Sequence, residues 1–264
     1  DADSHQERII RMADRIMVIE DGTIKKIGPR EEVLPTLLTD GAGCAAWNRK
    51  CKGSVKADER REQMEMTLLD KITEKVLKQI DSSSGFKQEG AYNLRENGVS
   101  LCHGDTEHIK IKRKEDKPGI DVYIDGSAKG EQVHIPVVVS TSGMVDIVYN
   151  DFYIADGADV TIVAGCGIHN SGCNETRHDG IHAFHVGKGA NVRYEEKHYG
   201  EGEGTGARVL NPVTKIYMEE DSVFTLDTVQ IKGVDSTQRE TEVTMGAGAR
   251  LYVWKTDDSR RTES

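Results

Sequence analysis

Short runs in which apolar and polar residues alternate dominate the chain from Gly90 onward, at 108–113, 120–124, 133–139 and 145–149. A period of two is the pattern of half-buried β-strands. Beyond residue 150 the pattern repeats. Gly157-Ala158-Asp159-Val160, Gly189-Ala190-Asn191-Val192, Asp221-Ser222-Val223-Phe224 and Gly248-Ala249-Arg250-Leu251 are one turn-then-strand unit, recurring at intervals of 32, 32 and 27 residues. Self-similarity of this length, built from short strands and Gly-rich turns, predicts a β-helix or stacked β-solenoid. Superposing the units predicts a register in which Val160, Val192 and Phe224 stack, as do Ile162, Tyr194 and Leu226. Continued by twos, the same register sets Cys166 over His198 and His198 over Gln230, so the inward face begins apolar and becomes polar.

Ahead of the strands, Leu68, Leu69, Ile72, Val76, Leu77 and Ile80 recur at helical spacing, which predicts a docking or capping helix over Thr67–Ile80. The first forty residues follow a different plan. Glu7–Ala13 has a helical pattern, Arg15–Ile19 and Ile24–Ile27 read as strands, and the Asp21-Gly22 dipeptide between them marks a tight hairpin. Arg30–Leu38 reads as a second helix, with Glu31 and Glu32 suited to its N-terminus. Residues 41–65 read as a linker rich in Lys, Arg and Glu, with Cys44 and Cys51 as free thiols. The expected fold class is therefore mainly β, a β-helix or β-solenoid core with a short α/β N-terminal segment. The expected boundaries are 1–40, 41–65 and 66–264.

Composition narrows the function. Only 36% of residues are hydrophobic while 30% are charged, which suits a narrow repetitive core. A net charge of -10 argues against nucleic acid as a partner, since phosphate binding needs a basic face. No apolar run approaches the length of a membrane span. The opening Asp1-Ala2-Asp3-Ser4 is unlike a signal peptide, and five irregularly spaced cysteines suit reduced thiols, so a cytoplasmic protein is expected.

The densest chemistry lies in one stretch. Cys166, His169, Cys173, His178, His182 and His185 follow each other as Cys-x2-His-x3-Cys-x4-His-x3-His-x2-His, all of them side chains that ligate borderline or soft metals. Gly165, Gly167 and Gly172 suggest backbone turning tightly around a ligand. Strand alternation sends His182 and His185 to opposite sides. A histidine over Cys166 would favour its thiolate, the nucleophilic form.

Several of these residues carry a resemblance. Gly165-Cys166-Gly167 after a strand, Ile181-His182-Ala183, Gly189-Ala190-Asn191-Val192-Arg193-Tyr194 and Asn211-Pro212-Val213-Thr214-Lys215 make the stretch from about 66 to 264 resemble the SufB/SufD family of iron–sulfur cluster assembly scaffolds. Ser4-His5-Gln6-Glu7, Met12-Ala13-Asp14-Arg15, Val18-Ile19-Glu20-Asp21-Gly22 and Gly28-Pro29 resemble the C-terminal part of a SufC-like ABC ATPase, with His5 at the switch histidine. No GxxxxGK[ST] loop or Leu-Ser-Gly-Gly signature accompanies them, so no complete ATPase site is expected. The resemblance implies a non-enzymatic scaffold of the SUF system handling iron and a transient iron–sulfur cluster. Its implied partners are a SufC-like ATPase, a SufB/SufD-type subunit or second copy, and a cysteine desulfurase or sulfur carrier. It also implies that Cys166 is an internal sulfur acceptor, that Lys215 lines the sulfur path, and that His198 stands where longer members have Gln. Family members continue past the point matching Ser264, which implies a domain truncated at its C-terminus. Two other readings stay open. One is a metal-dependent enzyme on a solenoid, with Glu195 or Glu196 as its base although such residues usually face solvent. The other is a structural partner subunit without a site of its own.

Overall fold

Parallel strand pairing at an offset of one repeat organises the larger part of the molecule. The computed structural model describes residues 15–20, 23–29, 71–81 and 90–257, and the chain divides into two compact units, Asp1–Glu59 and Arg60–Ser264. In the first unit, β1 (Arg15–Glu20) and β2 (Thr23–Pro29) form an antiparallel hairpin with Glu20 opposite Thr23, as the Asp-Gly dipeptide predicts. The helices expected at Glu7–Ala13 and Arg30–Leu38, His5, and the linker with Cys44 and Cys51 lie outside the described residues.

The second unit opens on α1 (Lys71–Ile80), which lies within the expected helix. Two antiparallel pairs follow: β3 (Ala91–Glu96) with β4 (Val99–Gly104), and β5 (Ile109–Arg113) with β6 (Gly119–Ile124). The coils then run through β7 (Lys129–His134), β8 (Val137–Val139), β9 (Val145–Ile154), β10 (Asp159–His169), β11 (Thr176–Val186) and β12 (Asn191–Glu201). They continue through β13 (Arg208–Leu210), β14 (Val213–Met218), β15 (Val223–Lys232), β16 (Glu240–Met245) and β17 (Arg250–Asp257). Successive strands alternate between two sheets, ordered β17-β15-β12-β10-β7-β3-β4 and β16-β14-β11-β9-β6-β5. The result is a β-solenoid of about four turns. No described helix is long and apolar enough to cross a membrane.

The predicted register is the observed one. Val160 pairs with Val192 and Val192 with Phe224; Ile162, Tyr194 and Leu226 follow, then Cys166, His198 and Gln230. The turn entering each of these strands needs one residue in the left-handed region. Gly157, Gly189 and Gly248 supply it at φ 69°, 62° and 70°, and Asp221 at 56°. Aspartate is one of the few side-chain-bearing residues that tolerate this geometry, which explains how the third repeat departs from Gly. Gly157, Gly189 and Asp221 each donate an N–H to the next coil, to Lys188, Glu220 and Ala247, all at 2.9 Å. The inward apolar columns meet in an aromatic core. Phe184 stacks on Phe152 with centroids 4.6 Å apart and also meets Tyr194 and Phe224.

Gly165 and Gly167 do not turn around a ligand. They lie within extended β10, and their outer face receives α1. A Cβ on Gly167 would come 2.2 Å from Val76 Cγ1, and one on Gly165 2.8 Å from Ile80 Cβ. Val76 and Ile80 are fully buried there with Val138 and Tyr199. Gly167→Ala is expected to destabilise the unit by about 1–3 kcal/mol through overpacking. Amide exchange should show α1 losing protection before the sheets do, and unchanged protection of α1 would contradict this packing account.

Candidate functional site

Beyond the aromatic core the interior of the solenoid becomes polar. Cys166, Glu196 and His198 project inward from one sheet, and Asp146, Asn150, His178 and His182 from the other; all are buried. Each is placed by strand alternation: Glu196 lies between inward Tyr194 and His198, and Asp146 is the register partner of His178. Buried charges of this kind persist only when paired, and two networks pair them.

The first is centred on Asp146. Arg95 reaches it with two contacts, Nη2–Oδ1 at 2.7 Å and Nε–Oδ2 at 3.2 Å, and His178 Nδ1 lies 3.0 Å from Oδ2. Burial opposes ionisation of the Asp146 carboxyl, but His178 and Arg95 outweigh it and hold the group well below the usual carboxylate range. The second network crosses the interior. Arg239 is ion-paired with Glu196 Oε2, and Tyr194 donates its hydroxyl proton to Glu196 Oε1 at 3.2 Å. His182 Nδ1 meets the Tyr194 oxygen at 2.7 Å, and its Nε2 lies 3.3 Å from Asn150 Nδ2. Burial of Glu196 also disfavours its charge, yet His198 and Arg239 keep its carboxyl far below the ordinary range.

Two consequences correct the sequence reading of Cys166. It is the register partner of His198, as expected, but His198 Nε2 lies 3.7 Å from Glu196 Oε1 and serves that carboxylate. Burial, followed by the nearby Glu196 charge, pushes the Cys166 thiol up rather than down. The residue is a protonated thiol at neutral pH. Lys215 lies on the outer face of β14, 42% exposed and 3.6 Å from Glu242, so it does not line the interior.

The ligand-rich stretch is likewise divided. Cys166, His178 and His182 face the interior. His169 lies on the outer side with Nδ1 3.2 Å from Glu201, a carboxylate that also holds Lys75 of α1 at 2.6 Å. Cys173 is exposed in the loop after β10. His185 is exposed and stacks between Tyr153 and Tyr217 at 5.0 and 5.2 Å, on the opposite side from His182 as alternation predicts. Among the described residues no three His, Cys, Asp or Glu side chains converge as a metal-ligand set. The six predicted ligands do not form one centre, because β10 and β11 send alternate side chains to opposite faces.

Burial pushes the His182 imidazole down to about 4. An unfolded histidine titrates near 6.5, so between these values the unfolded chain binds one more proton than the folded one. Stability is then fully present above about pH 6.5 and falls as pH drops toward 4, by about 3 kcal/mol in all. Urea midpoints at pH 7, 5.5 and 4.5 should show this slope, and His182→Gln should flatten it. A pH-independent midpoint across that window would contradict a neutral buried His182.

Comparison with family models, curated proteins and solved structures returns no significant match.

Proposed function

We propose that the second unit is a scaffold for iron–sulfur cluster assembly of the SufB/SufD type, with iron and sulfur as its cargo. One observation carries the reading most directly. A β-solenoid lined with apolar side chains changes, at one level of its interior, to a thiol, three imidazoles and two compensated carboxylates. The motif resemblance around Cys166 and Asn211–Lys215 points the same way. The partners in this reading are a SufC-like ABC ATPase, a SufB/SufD-type subunit or second copy, and a cysteine desulfurase or sulfur carrier. The action is cytoplasmic.

In this reading Cys166 accepts sulfane sulfur from a donor persulfide. Its sulfur attacks the terminal sulfur of the donor, a new S–S bond forms, the donor S–S bond breaks, and the donor leaves as a thiol. The proton lost by Cys166 ends on that leaving thiol. Because burial keeps Cys166 protonated, the proton must be removed during attack, and His198, the register partner of Cys166 on the neighbouring strand, is the imidazole placed to hold it in transit. Glu196 stabilises the positive charge that builds on an imidazole. A water-activating metalloenzyme fits less well, since Glu196 is committed to Arg239 and Glu195 to Arg193 on the outer face.

Anaerobic reconstitution with iron and sulfide, followed by metal and acid-labile sulfide analysis, tests the proposal. The wild-type chain should retain both, Cys166→Ala should lose both, and Lys215→Ala should behave as wild type. A wild-type chain that retains neither would sink the scaffold reading, and stoichiometric zinc without sulfide would favour a metalloenzyme.

A further inference from the structure

The inward face of β11 reads His178, Gly180, His182, and both imidazoles lean over the glycine. A Cβ placed on Gly180 would lie 3.5 Å from His178 Nε2 and 3.1 Å from His182 Nε2. The two nitrogens therefore border one small space that exists because residue 180 has no side chain.

The hydrogen bonds on the far side of each ring determine what the two nitrogens offer. His178 Nδ1 lies 3.0 Å from Asp146 Oδ2, an oxygen of the carboxylate that Arg95 clamps with two contacts, so Nδ1 carries the proton and Nε2 presents a lone pair. Among the described residues that Nε2 has no hydrogen-bond partner, although His178 is only 2% exposed. His182 Nδ1 faces the Tyr194 oxygen, whose own proton goes to the Glu196 carboxylate, so His182 Nδ1 also carries a proton. Its Nε2 is the acceptor, and the one donor near it among the described residues is the Asn150 amide at 3.3 Å. Two lone pairs thus converge in a buried space with one long donor contact between them. An unsatisfied buried acceptor is costly, and the arrangement is relieved by an electrophile between the nitrogens.

We infer that His178 Nε2 and His182 Nε2 over Gly180 are the protein ligands of a buried site for a borderline divalent transition metal of the Fe(II), Co(II) or Zn(II) class. Neutral imidazole is a preferred ligand of these ions. Metal-bound histidines characteristically donate their other N–H to a carboxylate, directly or through a second group. His178 donates its Nδ1–H to Asp146, and His182 donates its Nδ1–H to the Tyr194 oxygen, whose hydroxyl in turn donates to Glu196. Arg95 and Arg239 hold those carboxylates in place. Two protein ligands leave the remaining positions to water or sulfur ligands, which separates this site from closed structural zinc centres with four protein ligands. Cys166 shares an apolar cluster with Leu210, the register partner of His178, and projects inward from the opposite sheet. The inference stands on this geometry and does not depend on the scaffold reading.

Anaerobic Co(II) titration of the full chain is the test. One equivalent should bind with visible d–d absorption, and His178→Gln and His182→Gln should each weaken binding by about tenfold or more. Gly180→Ala, which fills the space, should do the same, while His169→Gln and His185→Gln leave binding unchanged. A measurement on the unaltered chain guards against variants that misfold. On adding Zn(II), nitrogen NMR should show the Nε2 signals of two histidines shifting while their Nδ1 atoms stay protonated. Failure to take up Co(II) or Zn(II), or uptake indifferent to both histidine variants, would overturn the site and leave a bridging water between the rings. Metal uptake without sulfide retention would keep the site and remove the scaffold function instead.

Discussion

Arg95→Ala is expected to cost about 3–5 kcal/mol of folding stability, the range for removing one partner of a buried ion pair. The Arg95 and Asp146 side chains are 9% and 3% exposed, and two contacts join them. Without the guanidinium, the Asp146 carboxylate remains buried with His178 as its one strong partner among the described residues. It must then stay charged at high cost or take up a proton. A proton on Asp146 would also release the tautomer of His178, so the variant should lose the proposed metal affinity along with stability. Guanidinium denaturation followed by circular dichroism measures the first effect. A loss below about 1 kcal/mol, the value of exposed pairs, would mean that water reaches this pair and that the interior is not sealed at Asp146.

Phe184→Ala should destabilise the solenoid by a similar amount, about 3–5 kcal/mol. Phe184 is fully buried. Its ring lies 4.6 Å from Phe152 on one neighbouring coil, while Tyr194 at 4.7 Å and Phe224 at 5.1 Å close it in from the opposite sheet. Truncation opens a void among three strands that are not consecutive along the chain. In a solenoid each coil is stabilised mainly by its neighbours, so the loss should uncouple the coils on either side. Hydrogen exchange should show β11 and β12 losing protection together, with the earlier strands less affected. A loss below about 1 kcal/mol would indicate that the aromatic rings repack into the space.

Much of the fold was legible because the signals are local. Alternation and a turn recurring at 32-residue intervals predict both the solenoid and the register of Val160, Ile162 and Cys166 with the next coil. The β3–β4 hairpin was also within reach, since Asn97-Gly98 is a two-residue turn signal and both residues take positive φ, 44° and 79°. Glu196 was missed as an interior residue for a reason of composition, although its place between inward Tyr194 and His198 shows its direction. The same alternation assigns Lys215, next to inward Thr214 and Ile216, to the outer face. Motif resemblance had suggested the interior for it.

Periodicity along the chain carried the strand class, the coil repeat, the stacking order and the opposite directions of His182 and His185. All of these follow from the two-residue geometry of a strand and need no knowledge of distant partners. The repeat places Asp146 against His178 and β12 places Glu196 beside His198, but which arginine meets each carboxylate was settled by three-dimensional packing. Arg95 and Asp146 are 51 residues apart and Arg239 and Glu196 are 43 apart, and none of these separations matches the repeat. Burial together with these arginines and the neighbouring histidines determines the ionisation of Asp146 and Glu196, and burial keeps Cys166 protonated. A pKa or a tautomer depends on the field of all the groups brought close by folding, and the spacing within a single strand supplies only a part of that field.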